Sequence, residues 1–246
     1  GIEAICSVHW ERRLFDSLIP LPDGTSYNAY LVRGEQATAL IDTTDPALQG
    51  ELLEPLASVE KVDYVVSQHS EQDHSGSLPV VLDRYPSATL LCSQKARDML
   101  LSHLQIPAER IRVVADGEQI ALGGKTLQFV YTPWVHWPET MCTYLPEDQC
   151  LFSCDFFGSH LATTDVFVTD PARVYEAAKR YYAEIMMPFR SIITKNLDKL
   201  SVLDFDMIAP SHGPVYDKPD FILDAYRDWT SPNTKNEVVL PYISMH

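Results

Sequence analysis

The most chemically loaded stretch of the chain is Ser67-Gln68-His69-Ser70-Glu71-Gln72-Asp73-His74-Ser75-Gly76, where His69, Glu71, Asp73 and His74 fall within six residues. Imidazoles and carboxylates this dense are costly to bury unless a cation neutralises them, so the pattern is that of a metal site. Three later positions supply the same donor types singly. They are His136 in Thr132-Pro133-Trp134-Val135-His136-Trp137-Pro138, Asp155 in Phe152-Ser153-Cys154-Asp155-Phe156-Phe157-Gly158, and His212 in Pro210-Ser211-His212-Gly213. Any one of them alone would ordinarily be a surface or core residue. Together they make four imidazoles and three carboxylates, a complement for two metals sharing a bridging carboxylate, with donors left over if only one were bound.

The elements that must position these residues follow from hydrophobic periodicity. Residues 62–67 read as a strand and 76–85 as a helix, so the dense stretch is a loop at a strand's C-terminal end, where α/β folds build their sites. Strands are also expected at 27–33, 37–42 and 88–91, and helices at 46–56 and 93–104. A second sheet-rich region follows at 111–114, 126–132, 141–145 and 150–152. Residues 171–200 carry a long helical pattern interrupted near Met187-Pro188, ahead of a strand at 207–209 and a helix at 219–229. Each single donor follows an apolar strand. Two sheets flanked by helices, an α/β fold of the αββα sandwich type, accommodate this order.

A histidine-rich loop followed by single His, Asp and His residues resembles the metallo-β-lactamase superfamily over nearly the whole chain. Hydrolases of that superfamily carry HxHxDH in the first loop. Here Glu71 replaces the second histidine to give HxExDH, and in this the chain resembles the flavodiiron proteins. The resemblance extends to His136-Trp137-Pro138-Glu139-Thr140-Met141 and to residues 151–158 and 208–213, with 61, 18 and 56 residues between successive donors after His74. The replacement has a chemical reason. A hard carboxylate oxygen in place of imidazole favours iron over zinc and adds negative charge that stabilises ferric iron.

The resemblance implies a metallo-β-lactamase αββα sandwich over residues 1–230 that holds two non-haem irons with an oxo or hydroxo bridge. It puts His69, Glu71 and His136 on one iron, Asp73, His74 and His212 on the other, and Asp155 between them; in some family members the histidine matching His74 leaves the metal. It also implies an oxidoreductase reducing dioxygen to water, nitric oxide to nitrous oxide, or both. Water formation takes four electrons and two ferrous ions hold two. In the family the remainder come from FMN in a flavodoxin-like domain joined to the C-terminus. Residues 231–246 read as a linker and the first strand (237–243) of such a domain, without the phosphate loop that FMN needs. FMN is therefore expected only in the missing domain, and electrons from that domain or an external donor. Head-to-tail homodimers are expected from the family. A stand-alone diiron oxygen-binding sensor is the alternative, and a zinc-dependent hydrolase is a further one, against which Glu71 argues.

Around the donors, Trp134, Trp137, Phe156 and Phe157 could shield a metal centre from water, and Tyr182, of the Tyr181-Tyr182 pair, could offer a proton or hydrogen bond to bound dioxygen. His9, His103, His160 and His246 lie outside the pattern, although His160 is close enough to Asp155 to support it. With 34 acidic against 19 basic residues, a net charge of −15 opposes binding to nucleic acid or anionic membrane surfaces. No apolar run approaches the roughly 18 residues of a membrane span. Five cysteines without a CxxC pair fit reduced thiols and a cytoplasmic protein.

Overall fold

The computed structural model describes residues 1–15 and 17–232. Its first half runs β1 (Ile2–His9), β2 (Leu14–Phe15), β3 (Ile19–Pro20), β4 (Thr25–Arg33), β5 (Thr38–Ile41), α1 (Gln49–Leu56), β6 (Tyr64–Ser67), α2 (Gln72–Ser75), α3 (Leu78–Arg84), β7 (Thr89–Cys92), α4 (Gln94–Leu104) and β8 (Ile111–Val113). The second half runs β9 (Gln119–Ala121), β10 (Thr126–Tyr131), β11 (Met141–Leu145), β12 (Cys150–Cys154), α5 (Pro171–Tyr181), α6 (Arg190–Leu200), β13 (Met207–Pro210) and α7 (Asp220–Thr230). One sheet has the order β1-β4-β5-β6-β7-β8 and the other β13-β12-β11-β10-β9, with β2 and β3 paired apart.

Strand alternation sorts the apolar residues into layers, because successive side chains point to opposite faces. From the first sheet, Leu31, Leu40, Val65 and Leu90 pack on Leu52 and Leu56 of α1, Val81 and Leu82 of α3 and Leu100 of α4. Their neighbours Tyr30, Val32, Ile41, Val66 and Leu91 turn the other way and meet Leu127, Phe129, Met141 and Phe152 of the second sheet. The outer face of that sheet, with Val130, Cys142, Leu151 and Ile208, is covered by Val174 and Tyr181 of α5, Ile193 of α6 and Tyr226 of α7. The layers are α, β, β, α, as the element order implies. No helix of the described residues is long and apolar enough to cross a membrane.

Three local differences have physical causes. β1 escapes the sequence pattern because only Ile5 and Ser7 of its side chains are fully buried; what makes it a strand is antiparallel pairing with β4 along its whole length, from Ile2 opposite Val32 to His9 opposite Thr25. β9 is a short strand with a single buried residue and is equally faint in sequence. The expected interruption of the long helix is a π-helical turn over Tyr182–Met186 followed by a 3-10 turn over Met187–Phe189. Pro188, having no N–H, cannot continue an α-helical ladder. The expected strand at 237–243 lies outside the described residues.

Candidate metal centre

The donors sit where strands end. The loop after β6 carries His69 and Glu71, and Asp73 and His74 follow within α2. β12 and β13 are parallel neighbours, so their C-terminal ends deliver Asp155 and His212 side by side, while His136 comes from the connection between β10 and β11. The two sheets are tied together at this edge by β4. Asn28 donates its side-chain N–H groups to the carbonyls of Pro210 (3.0 Å) and Gly213 (2.7 Å), and Tyr30 donates to Pro210 (2.6 Å). Buried Asp42 accepts from the backbone and side chain of Gln68, both at 2.8 Å, and from Ser211 at 3.3 Å, so one carboxylate holds the loops of His69 and His212 at once. Gly213 allows the close turn: its φ is +79°, and a Cβ there would stand 2.0 Å from Ser159 Oγ.

All seven donors converge. His69 and His136 bring their Nε2 atoms to 3.1 and 3.0 Å from Glu71 Oε2, and to 3.5 and 3.1 Å from Asp155 Oδ2. On the other side His74 and His212 bring Nε2 to 3.3 Å each from Asp73 Oδ2, and to 2.8 and 3.3 Å from Asp155 Oδ1. Asp155 thus turns one carboxylate oxygen to each group. Donor separations of about 3 Å are the edges of a coordination sphere with bonds of about 2.0–2.2 Å.

Hydrogen bonds hold two of the rings from their far side, and at the centre Glu71 Oε2 is hydrogen-bonded to His69 and His136. His69 Nδ1 lies 2.7 Å from Glu139 Oε1, which also accepts from Ser70 N at 2.9 Å, and His212 Nδ1 lies 2.8 Å from the carbonyl of Ser26. Each contact fixes its ring so that Nε2 faces inward. By contrast both oxygens of Asp73, both ring nitrogens of His74 and Oδ1 of Asp155 are buried without a hydrogen-bond partner. The 2.8 Å approach of His74 to Asp155 therefore lacks hydrogen-bond geometry. Desolvated donors left in this state are costly, and a cation in the group of Asp73, His74 and His212 would satisfy those that face it. Oxygen and imidazole donors in this ratio fit iron.

At His69, His136, His212 and Asp155 burial opposes charge, and neighbours override it. His69 is held well above the ordinary imidazole range by Glu139 and Glu71, despite its burial. Against the same burial His136 is raised to about 9 by Asp155 and Glu71, and His212 to about 10 by Asp155 and Asp73. Asp155 is held far below the usual carboxylate range by His74, His136 and His212, although burial pushes the other way. Protons on the imidazoles thus stand in for metal charge, and metal binding must release them. Cys154 also reaches His74 and Asp155, but burial keeps its thiol protonated.

A cavity of about 230 Å³ opens onto the centre, lined by Glu71, Asp73, His136, Asp155 and His212 and closed by Phe15, Ile19, Trp137, His160, Tyr181, Glu184 and Ile185. Tyr182 is not part of it. Its hydroxyl donates to the carbonyl of Trp229 at 3.2 Å and its ring packs on Tyr226 and Trp229. Consecutive residues of a helix point about 100° apart, and the one that faces the cavity is Tyr181. Of the four aromatic residues expected as a shield, Trp137 lines the cavity and meets His69 edge-on at 5.1 Å. Phe156 and Phe157 stack on each other within the core, and Trp134, 41% exposed, stacks on Phe189. His160 is buried, its Nδ1 3.0 Å from the hydroxyl of Thr25, and burial and His212 hold it neutral. Glu139, Asp42 and Asn28 support the centre without being donors themselves, and no local pattern in the sequence marks Asp42 or Asn28. For Glu139 a signal was present in His136-Trp137-Pro138-Glu139, a carboxylate two residues past an aromatic in a donor loop.

Comparison with known proteins agrees with this architecture. A family profile described as ODP family beta lactamase matches residues 25–213. A protein named nitric oxide reductase from Moorella thermoacetica is 37% identical over the whole of this chain and 63% of its own length. Among solved structures, rubredoxin oxygen:oxidoreductase from Desulfovibrio gigas superposes with a TM-score of 0.89 at 31% identity, over 94% of this chain and 60% of that one. The flavodiiron protein of Giardia intestinalis also gives 0.89, at 30% identity, over 94% and 57%. The chain spans less than two thirds of the length of these relatives. It belongs to the ODP family of β-lactamase-fold domains, the diiron-type domain that it shares with the flavodiiron proteins.

Proposed function

We propose that this chain holds a non-haem diiron centre that reduces dioxygen, nitric oxide or both, with electrons supplied by an FMN-bearing domain or an external donor. His69, Glu71 and His136 would hold one iron, Asp73, His74 and His212 the other, and Asp155 would bridge them. The observation that carries this reading is the division of Asp155's two oxygens between two donor groups, one of which contains Glu71 where a hydrolase-type loop has histidine. Two ferrous ions, when bound, supply two electrons and an open position for a diatomic ligand.

The protein's own residues do the rest. Asp155 fixes the separation of the two groups, and Glu139 and Ser26 O aim His69 and His212. Phe15, Ile19, Trp137 and Ile185 give part of the cavity an apolar lining. The five cysteines carry no disulfide, which accords with a cytoplasmic setting; a homodimer with a partner's flavin facing this cavity would supply the electrons. Anaerobic reconstitution tests the reading: about two irons per chain and consumption of oxygen or nitric oxide by the reduced protein are expected. A single tightly held zinc with hydrolytic activity would overturn it.

A further inference from the structure

Reducing either gas consumes protons as well as electrons. Two ferrous ions and O₂ take up two protons to give two ferric ions and H₂O₂. Two ferrous ions and two NO take up two protons to give two ferric ions, N₂O and H₂O. The cavity opens to solvent, and besides apolar residues and the donors themselves it is lined by His160, Tyr181 and Glu184. Of these three Glu184 is the carboxylic acid. It lines the cavity from the π-helical turn at Tyr182–Met186, one turn beyond Tyr181. Wider turns of this kind interrupt helices most often at functional sites.

We propose, building on the diiron reading above, that Glu184 is the residue through which protons pass from solvent into the cavity. Its position has the two sides that this role needs. The side chain is half-buried and so reaches solvent, while Oε2 is buried with no hydrogen-bond partner. A structural carboxylate would be expected to hold an arginine or cap a helix; among the described residues Glu184 does neither. Arg180, one turn back on α5, is instead engaged by Asp23 at 2.6 Å. The other titratable groups around the cavity are Tyr181 beside Glu184, the metal donors opposite, and His160, which is held neutral. Burial pushes the Glu184 carboxyl above the usual glutamate range and Arg180 only partly offsets it, which suits a group that must take up and release a proton. The cavity is large enough for several waters to carry the proton onward. Each proton delivered is replaced from bulk solvent at the exposed side, so Glu184 ends as it began.

The test uses the whole chain, loaded with iron and reduced anaerobically, mixed with oxygen in a stopped-flow instrument. Glu184→Gln keeps shape and removes the proton; it is expected to slow single-turnover oxidation by about 100-fold, the low end of the range for losing a general acid. Iron content and the optical spectrum of the nitric oxide adduct, whose formation needs no proton, should stay those of the parent. Glu184→Asp and added acetate should each restore part of the rate, which a merely structural role would not do. In the metal-free protein, carboxyl-carbon NMR should show one glutamate titrating above the exposed set and absent in Glu184→Gln. Parent-like oxidation by Glu184→Gln overturns this proposal and leaves the diiron reading standing; an iron-loaded parent that does not oxidise at all overturns both. Should Glu184→Gln not fold, Glu184→Ala takes its place, and a parent-like rate in that variant also overturns the proposal.

Discussion

His69 and His212 stand on opposite sides of Asp155 with their Nε2 atoms inward, and they are held there by different means. His69 leans on a side chain, Glu139 Oε1 at 2.7 Å, whereas His212 leans on a backbone carbonyl, that of Ser26, at 2.8 Å. The groups around them differ in the same sense. All four of Glu71, His136, Asp73 and His212 line the cavity, but the side chains of Glu71 and His136 are 12% and 15% exposed and those of Asp73 and His212 only 2%. One group is the more exposed and has a replaceable support; the other is set into the junction of the two sheets, where Asn28, Tyr30 and Gly213 leave it little freedom. The open group is therefore where chemistry can be tuned by mutation, and the buried group is where the fold itself resists change.

Removing what the two groups share should erase the contrast. Asp155→Ala takes one oxygen from each, and we expect iron affinity to fall at both by more than about 100-fold, beyond the 10–100-fold typical of losing a supporting residue. Metal analysis after anaerobic reconstitution would read this, with circular dichroism to confirm the fold. Retention of one iron at parental affinity would mean that one group is complete without the bridge.

Glu139→Gln should separate the groups. Gln keeps a hydrogen bond to His69 but gives up the charge that orients the imidazole and raises its basicity, so iron should weaken about tenfold at the open group only. A stepwise iron titration is expected to show one step moved and one unchanged. No comparable substitution exists for His212, because its support is a carbonyl.

The sequence exposes the donors themselves but not their supports, for a physical reason. A metal site needs uncommon residue types at fixed strand ends, so His69, Glu71, Asp73 and His74 stand out within one loop, and the alternation of strands and helices places that loop correctly. Supports such as Asp42 and Asn28 are single polar residues inside strands or just past them, and their importance comes from contacts across 26 and 185 positions of chain. No local pattern reports that. Of the two adjacent tyrosines Tyr181 lines the cavity and Tyr182 does not, because consecutive helical residues point about 100° apart and a Tyr-Tyr pair carries no sign of which one faces inward. β1 shows the same limit in the fold: its apolar signal is weak, and its pairing with β4 makes it a strand.

Glu71→His would recreate the hydrolase-type loop within the open group and should shift metal preference towards zinc, since imidazole suits zinc and a hard oxygen donor is lost. The expected change is smaller, a few-fold in the iron-to-zinc ratio under competition, because six donors remain. If the ratio did not move, Glu71 would not be the discriminator, and the preference would have to reside in the buried group.

The smallest effect is on stability, and it ranks the two groups by pH. In the metal-free protein His136 is raised to about 9 and His212 to about 10, against about 6.5 in an unfolded chain. A folded state that binds these protons more tightly gains stability that is fully present below pH about 6.5 and is lost as pH rises through the two folded values. The thermal midpoint of the metal-free protein should therefore fall, by several degrees, between pH about 7 and 10. His136→Gln should remove the lower step and His212→Gln the upper. Iron-loaded protein should behave oppositely: metal needs deprotonated imidazoles, so binding strengthens over the same interval and the gap between loaded and metal-free midpoints widens. Calorimetry across this pH range would read both trends, and a metal-free midpoint that stayed level to pH about 10 would show that the imidazoles of the folded protein are not the proton stores that their carboxylate neighbours imply.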